Sequence, residues 1–224
     1  MKKILFSLLA IVMLASCNND DDKNNSQKFM TTAVIDGDPI VFQYDDNKNL
    51  EAMFGDGEAL YTFDYDDNNN LIAVRDEDDI EPFITIQYQN GQLASIVNNG
   101  ATIPVTYNEQ TKKYVFGGVN IEAGLVGKDL GTLDETGGEN LLTLEYVSDH
   151  KGPFYNTPTK NPFLIGLLVD LYYFTSTRPI NKMISDGQTY TTENMYDEDG
   201  YVVKTVFKSD TQEQATIVFQ YSEL

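Results

Sequence analysis

The chain has little of several residues on which common sites depend. Its 224 residues include one cysteine, one histidine and no tryptophan, and 15 Lys and Arg stand against 35 Asp and Glu. A single cysteine excludes an internal disulfide and a thiolate zinc cage, and a single histidine excludes a histidine-rich metal site. The net charge of -20 argues against nucleic acid as a partner, because a polyanion repels an acidic surface. Neither G-x-G-x-x-G nor a P-loop occurs, so no nucleotide partner is predicted.

What is present suits one folded domain. Hydrophobic residues make up 41% of the chain, with 14 Tyr and 12 Phe among them. This content is too high for general disorder and is enough for one sizeable core.

The N-terminus predicts export and lipid attachment. Lys2 and Lys3 precede an apolar span at 4–14, and Leu-Ala-Ser-Cys follows at 14–17. The span is shorter than the roughly 20 residues that cross a bilayer. The pattern resembles a bacterial lipoprotein signal peptide, in which residues 1–16 are removed and Cys17 is acylated. Residues 18–28 lack apolar side chains, so 17–28 are predicted to be the acylated cysteine and a disordered tether, with the lipid bilayer as partner.

The tether also bears on location. Its three consecutive acids at 20–22 resemble the acidic export signal of Bacteroidetes surface lipoproteins. We therefore expect an outer-membrane lipoprotein exposed at the cell surface, with a periplasm-facing lipoprotein as the alternative.

Residues 29–224 are predicted to form a single all-β domain. Apolar and polar residues alternate in several segments, which is typical of half-buried antiparallel strands. The clearest examples are Ile40-Val41-Phe42-Gln43-Tyr44, Tyr61 to Tyr65, Ile84 to Tyr88, and Ile217 to Tyr221. Strands of five to seven residues with a polar face disfavour a transmembrane barrel, whose strands run about 9–11 residues.

A turn pattern recurs after these strands. The sequences at 44–50 and 65–71 match position for position as Tyr-Asp-Asp-Asn-x-Asn-Leu, and 196–202 is a third copy, with drifted copies starting at Tyr88 and Tyr107. Asp can accept backbone N–H bonds in such a turn, while Asn or Gly tolerates positive φ. The spacing of about one hairpin per repeat predicts a meander of hairpins that pack on their neighbours.

These units resemble the YD repeats of bacterial surface and toxin-shell proteins. A wider resemblance combines the N-terminal lipobox, the YD-like hairpins, Pro153-Phe154-Tyr155, Asn161-Pro162-Phe163, and a C-terminal Tyr-Asp-x-Asp-Gly-Tyr followed by Ile-x-Phe-x-Tyr. Together they are similar to a Bacteroidetes family of lipoproteins of uncharacterised activity, described as having a porin-like β fold. The resemblance implies a fold and no activity.

One segment has helical spacing. Phe163, Leu164, Leu167, Leu168, Leu171 and Tyr172 recur at helical intervals in 161–174, with Asn161 placed to cap and Pro162 at the first position. The predicted fold is therefore mainly β: an antiparallel meander of hairpins forming a curled sheet or half-barrel, with one short helix on its concave side.

Candidate metal ligands are confined to the turns. Asp45, Asp46, Asp66, Asp67, Asp197 and Asp199 are weak calcium candidates, because carboxylates gather in adjacent loops. The 195–206 segment lacks the first and the twelfth ligand of a calcium loop, so hairpin turns explain these residues better. No cofactor is predicted beyond this weak alternative of Ca²⁺.

Catalysis is not predicted. Ser148, Asp149 and His150 are triad residue types, but they are consecutive, whereas a working triad joins separated elements. A carboxylate-dependent extracytoplasmic glycan hydrolase is the alternative, because a carboxylate pair needs no histidine. The preferred hypothesis is a non-catalytic lipid-anchored protein that binds or organises an unidentified extracellular glycan or protein. Tyr172, Tyr173, Tyr190 and Tyr201 are aromatic candidates, with no choice among them.

Overall fold

A computed structural model describes residues 27–76, 79–209 and 213–224. Within these ranges the chain forms sixteen strands and one α-helix. The first eight strands are β1 Lys28–Ile35, β2 Asp38–Tyr44, β3 Leu50–Gly55, β4 Glu58–Tyr65, β5 Leu71–Asp76, β6 Ile84–Gln89, β7 Gln92–Asn98 and β8 Ala101–Asn108. The remaining elements are β9 Lys113–Phe116, β10 Ile121–Val126, β11 Asp129–Glu135, β12 Asn140–Tyr146, α1 Pro162–Val169, β13 Ile180–Ser185, β14 Gln188–Tyr196, β15 Val202–Lys208 and β16 Glu213–Glu223.

The strands close into an antiparallel barrel, so the prediction of a curled sheet or half-barrel is wrong. Each strand pairs with its neighbours in sequence, and β1 pairs with β16 from Lys28 opposite Glu223 to Ile35 opposite Ile217. Closure satisfies the backbone groups that an open sheet leaves at its two edges. Alternating polarity sets which face each strand buries, but it does not say whether the first and last strands meet, which is why the sequence pattern missed closure.

The connections divide the barrel into two ends. Residue 27 and the Asp-containing turns 45–49, 66–70 and 197–201 lie at one end, which we call the tether end. The opposite end, which we call the mouth end, carries the two-residue turns Asp36-Gly37, Asp56-Gly57, Asn99-Gly100 and Asp186-Gly187. All eight of these turn residues have positive φ. This geometry belongs to type I′ hairpins, whose twist matches that of the paired strands.

The barrel interior is the hydrophobic core. Phe42 is buried while Val41 beside it is 45% exposed, which confirms the predicted alternation in β2. Four tyrosines near the tether-end termini of even-numbered strands bond to the backbone of the preceding strand. The hydroxyls of Tyr44, Tyr88, Tyr146 and Tyr221 donate to the carbonyls of Met30, Leu71, Leu130 and Val202. The repeated tyrosine is therefore a structural link between neighbouring strands.

A long connection between β12 and β13 enters the barrel. We call residues 147–179 the plug. The predicted helix is confirmed in shorter form as Pro162–Val169, ending at Asp170, which has a left-handed conformation with φ 56°. Three consecutive residues of the helix, Phe163, Leu164 and Ile165, are buried, so the helix belongs to the core. Pro162 begins the helix as predicted, whereas Asn161 makes no side-chain capping bond.

Phe174 joins the plug to both sides of the barrel seam. Its ring lies 5.8 Å from that of Phe42 on β2 and 6.4 Å from that of Phe219 on β16, both edge-on. Edge-to-face pairs of this kind stabilise beyond the area that they bury. The plug fills the interior that the sixteen strands enclose, and it thereby favours closure of the barrel.

The outer face carries cross-strand ion pairs. They are Arg75–Asp64 at 2.6 Å, Lys113–Asp134 at 2.7 Å, Lys182–Glu145 at 2.8 Å and Lys208–Glu193 at 2.5 Å. Their neighbours along each strand, such as Phe63 and Val74, point into the core. Across the described ranges, the structure contains no helix of the length and apolarity needed to span a bilayer.

Candidate functional site

Asp45 and Asp66 hold the two matching turns at the tether end. Asp45 Oδ1 accepts a hydrogen bond from Asn49 N at 2.8 Å, and Asp66 Oδ1 accepts one from Asn70 N at 2.9 Å. Burial would raise the pKa of Asp66, but hydrogen bonds from Asn70 and Asn68 lower it below its ordinary value. Both residues therefore form Asx turns, and at Asp66 the turn favours the ionised carboxylate.

The same two turns receive the plug. Asn49 is 1% exposed, and its Nδ2 donates to Asn69 Oδ1 at 3.0 Å. Thr159 Oγ1 donates to Asn49 Oδ1 at 3.3 Å, and Lys160 N donates to the carbonyl of Asn69 at 3.1 Å. The Asn residues of the repeat thus connect two hairpins with the buried segment, a role that turn propensity alone does not reveal.

The third turn binds the beginning of β1. Lys28 Nζ lies 2.9 Å from Asp197 Oδ2 and 2.5 Å from Asp199 Oδ2. The hydrogen bonds that Lys28 donates to Asp199 and Asp197 raise its pKa, and the bond to Asp199 has the larger effect. Lys28 was placed in the tether by the sequence, but it is the first residue of β1 and is fixed to this turn.

The calcium candidates are thus distributed over several roles. Asp45 and Asp66 bond within their own turns, Asp197 and Asp199 share Lys28, and Asp46 and Asp67 are exposed. Within 27–76, 79–209 and 213–224, no group of three or more His, Cys, Asp or Glu is placed to hold a metal ion. The calcium interpretation stays a prediction, for which a metal titration is the test.

Asp66→Ala is expected to lower the free energy of unfolding by about 1–2 kcal/mol near neutral pH, because three N–H donors lose their acceptor. A carboxyl whose pKa is lowered by folding stabilises the fold above the unfolded pKa of about 4. This stabilisation is lost as the pH falls through the folded pKa. Urea denaturation at about pH 7 and about pH 3 should show the difference from wild type shrinking at the lower pH.

The control for Asp66→Ala is Asp67→Ala, since Asp67 is the exposed neighbouring acid of the same turn. It should change the free energy of unfolding by less than about 0.5 kcal/mol. An Asp66→Ala loss of equal size at both pH values would show that the ionised carboxylate is not what stabilises the turn.

The three triad residue types do not form a triad. Asp149 Oδ1 and His150 Nδ1 are 3.0 Å apart, and the His150 ring stacks on Tyr196 with centroids 3.7 Å apart. The hydrogen bond from His150 lowers the pKa of Asp149. The histidine lies in a pair with its sequence neighbour, on the side of the barrel where the plug begins.

A buried ion pair fixes the other end of the plug. The Asp129 side chain is fully buried, and its oxygens accept hydrogen bonds from Thr177 N at 2.6 Å, Thr177 Oγ1 at 2.9 Å and Arg178 Nε at 3.0 Å. Arg178 also lies 5.1 Å from the ring centre of Tyr146 and donates to the carbonyl of Val126. The partners are 48 and 49 residues apart, so no local motif indicates them.

The mouth end opens into a cavity of about 360 Å³ between the plug and strands β13, β14, β15, β16 and β1. We call it the mouth pocket. Its apolar lining includes Ile35, Tyr173, Met183, Tyr190, Phe207 and Ile217. Its volume falls within the range of about 300–1,000 Å³ that is typical of small-molecule sites. Tyr173 and Tyr190 are two of the four aromatic candidates in the sequence, beside Tyr172 and Tyr201. The structure brings these two together in the lining of the mouth pocket.

Acidic residues surround the mouth pocket. Asp36, Asp186 and Glu213 each adjoin a lining residue in sequence, and Asp170 ends the helix of the plug. Lys28, Lys48, Lys151 and Lys160 are all at the tether end. These four lysines therefore lie at the end opposite the mouth pocket.

A second recess lies against the outer surface of β2 to β5. Its lining includes Asp45, Glu51 and Asp64. Glu51 accepts a hydrogen bond from Gln43 at 2.9 Å, and Asp64 is paired with Arg75. Each of these carboxylates has a partner on a neighbouring strand or within its own turn. They therefore belong to surface contacts between strands and to a hairpin turn.

Comparisons with known proteins concern the N-terminal residues and the fold. A model of the prokaryotic membrane lipoprotein lipid attachment site matches residues 1–18. No curated protein matches the chain. Among solved structures, a porin-like protein from Bacteroides vulgatus ATCC 8482 is 10% identical with a TM-score of 0.40, covering 88% of this chain and 100% of its own. A porin-like protein from Bacteroides uniformis ATCC 8492 is 14% identical with a TM-score of 0.36, covering 88% of this chain and 98% of its own.

The attachment-site match includes Cys17, so the prediction of a lipoprotein anchored in a membrane through its acylated cysteine is supported. Residues 1–26, on which the signal peptide and most of the tether were predicted, lie outside the described residues. The resemblance to YD repeats stays a prediction.

Proposed function

We propose that this chain is a non-catalytic, lipid-anchored lipoprotein of the outer membrane that binds a small extracellular ligand in its mouth pocket. The observation that carries the proposal is the pocket itself. It is a preformed, mainly apolar cavity with two tyrosines and a methionine among its lining residues, at the open end of an otherwise filled barrel.

The position of the anchor supports a mouth that faces away from the bilayer. β1 begins with Lys28 at the tether end, and residues 18–27 separate it from Cys17. The chain from Cys17 to Lys28 reaches at most about 40 Å when fully extended. The anchor thus joins the barrel at the end opposite the mouth pocket, which favours surface display, with a periplasm-facing orientation as the alternative.

The charged side chains of the outer face are consistent with a barrel surrounded by water. Ion pairs such as Arg75–Asp64 and Lys182–Glu145 occupy outward positions on the strands. Charges on a lipid-facing surface would cost several kcal/mol each near the bilayer midplane, roughly 2–4 kcal/mol for Arg or Lys. The acyl group then supplies the membrane attachment.

The chemistry of the carboxyls supports binding over hydrolysis. A glycan hydrolase needs a carboxylic acid whose pKa is raised. The pKa values of Asp66, Asp134, Asp149 and Asp197 are shifted, and all four are lowered, by hydrogen bonds that outweigh any burial. Such groups are bases held ionised by their turns and ion pairs.

The proposal is tested with Nile red, a neutral apolar dye whose fluorescence rises in apolar surroundings. Residues 18–224 should bind the dye, and Ala215→Trp should lower the affinity at least about tenfold by filling the mouth pocket, of which Ala215 is a lining residue. Val41→Trp places the same side chain on the outer face and should leave the affinity unchanged. Ser185→Trp, at another lining position, serves if Ala215→Trp does not fold.

Equal dye binding by wild type and both pocket variants would overturn the proposal, as would no binding by the folded wild type. Membrane attachment is tested separately in cells. Cys17→Ser should move the protein from the membrane fraction to the soluble fraction, and its retention in the membrane fraction would contradict anchoring through the acyl group.

A further inference from the structure

The lining of the mouth pocket combines aromatic faces with a flexible thioether. The rings of Tyr173 and Phe207 meet edge-on with centroids 5.2 Å apart, and Tyr172 lies 4.6 Å from Tyr173. Tyr173 Oη lies 3.5 Å from Met183 Sδ. Aromatic faces attract cations as well as apolar groups, and methionine adapts its shape to a ligand.

The pocket continues inward behind Tyr173. A cavity of about 10 Å³ shares Tyr173, Phe207 and Ile217 with it and is also lined by Ser176. Ser176 is 3% exposed, and its hydroxyl has no hydrogen-bond partner among the described residues. A small void and an unpaired buried hydroxyl therefore lie together behind Tyr173.

The charges near the pocket are negative. Asp36 Oδ1 accepts a hydrogen bond from Thr216 N at 3.0 Å, and Glu213 Oε1 accepts one from Thr216 Oγ1 at 2.8 Å. Asp170 lies near Tyr172 and Tyr173, and Asp186 lies near Tyr172. Lys182 and Lys208, which adjoin the lining residues Met183 and Phe207, are paired with Glu145 and Glu193 on the outer face.

The carboxylates near the pocket also affect the pKa values of Tyr172 and Tyr173. Burial raises the pKa of Tyr172, and the hydrogen bond with Tyr173 and the charges of Asp170 and Asp186 raise it further. Burial also raises the pKa of Tyr173, with Asp170 and Tyr190 acting in the same direction. Burial disfavours any charge, whereas the contribution of the carboxylates has the sign of a negative potential and favours a cation over an anion in the same place.

We infer that the ligand of the mouth pocket is a small organic cation with an apolar body, held by the aromatic lining and by the negative field of Asp170 and Asp186. The inference rests on the proposed binding function and adds the class of ligand to it. An anion of the same size would meet the same field as repulsion, and a neutral molecule would gain only from the apolar lining.

A matched series of probes tests the sign of the charge. Octyltrimethylammonium, octanol and octyl sulfate carry the same chain and differ in charge. The ammonium compound should displace Nile red from residues 18–224 at concentrations about tenfold lower than octanol, and octyl sulfate should be the weakest competitor. The preference should fall when the ionic strength rises from about 0.01 M to about 1 M, because the Debye length shortens from about 30 Å to about 3 Å.

Asp170→Asn with Asp186→Asn tests the residues. Asn tolerates the left-handed backbone of residue 170 and suits the type I′ turn at 186–187, so the fold should be kept. The double variant should lose roughly fivefold in affinity for octyltrimethylammonium and nothing for octanol. Asp46→Asn with Asp67→Asn makes the same change in net charge at the tether end and should leave both affinities unchanged.

The outcomes separate the inference from the function on which it rests. If octanol and octyltrimethylammonium compete equally while dye binding still depends on Ala215 and Ser185, the pocket binds ligands and the cationic preference is refuted. Equal losses in the mouth-end and tether-end double variants would also refute it, by showing that only net charge acts. No binding of dye or of any probe overturns both.

Discussion

Replacing Asp129 by Ala is expected to lower the free energy of unfolding by about 3–5 kcal/mol, because it breaks a buried ion pair and leaves the partner charge without compensation. The Asp129 side chain has no exposed surface, whereas Arg178 is 26% exposed. Two donors of Thr177 lose their acceptor at the same time, at 2.6 Å and 2.9 Å from the carboxylate. Urea denaturation followed by far-ultraviolet circular dichroism measures the loss.

The matched control for Asp129→Ala is Glu145→Ala. Glu145 pairs with Lys182 at 2.8 Å across β12 and β13, but it is 50% exposed. An exposed pair contributes only about 0–1 kcal/mol, so the control should stay within that range. Equal losses in the two variants would show that burial of Asp129 does not set the strength of the contact. Asp129→Asn should fall between them, because it keeps the shape and one acceptor oxygen.

The same contact places the mouth pocket. Thr177 and Arg178 lie between Ser176 and Pro179, two plug residues that both line the inner cavity. Tyr173 lies four residues before Thr177, so the position of its ring depends on how firmly the plug is tied to β11. We therefore expect variants at Asp129 that still fold to bind Nile red more weakly, although Asp129 is not a lining residue.

The sequence predicted those features that depend on neighbouring residues. Alternation identified the strands around Phe42, Phe63, Ile86 and Phe219, all of which are buried. The repeated Tyr-Asp turns were predicted as Asx turns, and the bonds of Asp45 and Asp66 confirm this. The Asp-Gly pairs at 36–37, 56–57 and 186–187 are a strong signal of type I′ hairpins that our sequence interpretation did not use.

Features that depend on distant residues were not predicted. Closure joins Lys28 to Glu223, and the plug is tied by Asp129 to residues 48 and 49 positions away. In both contacts, the sequence around one residue does not indicate which distant residue it meets. The mouth pocket needs both, since its lining comes from β1, from β13 to β16, and from the plug. The two tyrosines were visible in the sequence as aromatic candidates, but their neighbourhood is a product of closure.

Gly166→Ala distinguishes the packing of the plug from helix propensity. Propensity alone predicts stabilisation by about 1 kcal/mol, because alanine is the better helix former. The structure predicts the opposite sign. A Cβ at Gly166 would lie 2.4 Å from Thr175 Oγ1 and 2.7 Å from Tyr172 Cα, and the second contact involves backbone that cannot rotate away. We expect the free energy of unfolding to fall by about 3 kcal/mol as the plug shifts to relieve this overlap.

The control for Gly166→Ala is Gly138→Ala, where the nearest atom to the added Cβ is 3.7 Å away and φ is not positive. It should change the free energy of unfolding by less than about 0.5 kcal/mol. A gain in stability at Gly166 would mean that α1 can move away from the turn at 172–175 without loss, and the plug would then be a loosely held insert. A loss accompanied by weaker Nile red binding would instead show that the tight crossing at Gly166 sets the position of Tyr172 and Tyr173, and with it the shape of the mouth pocket.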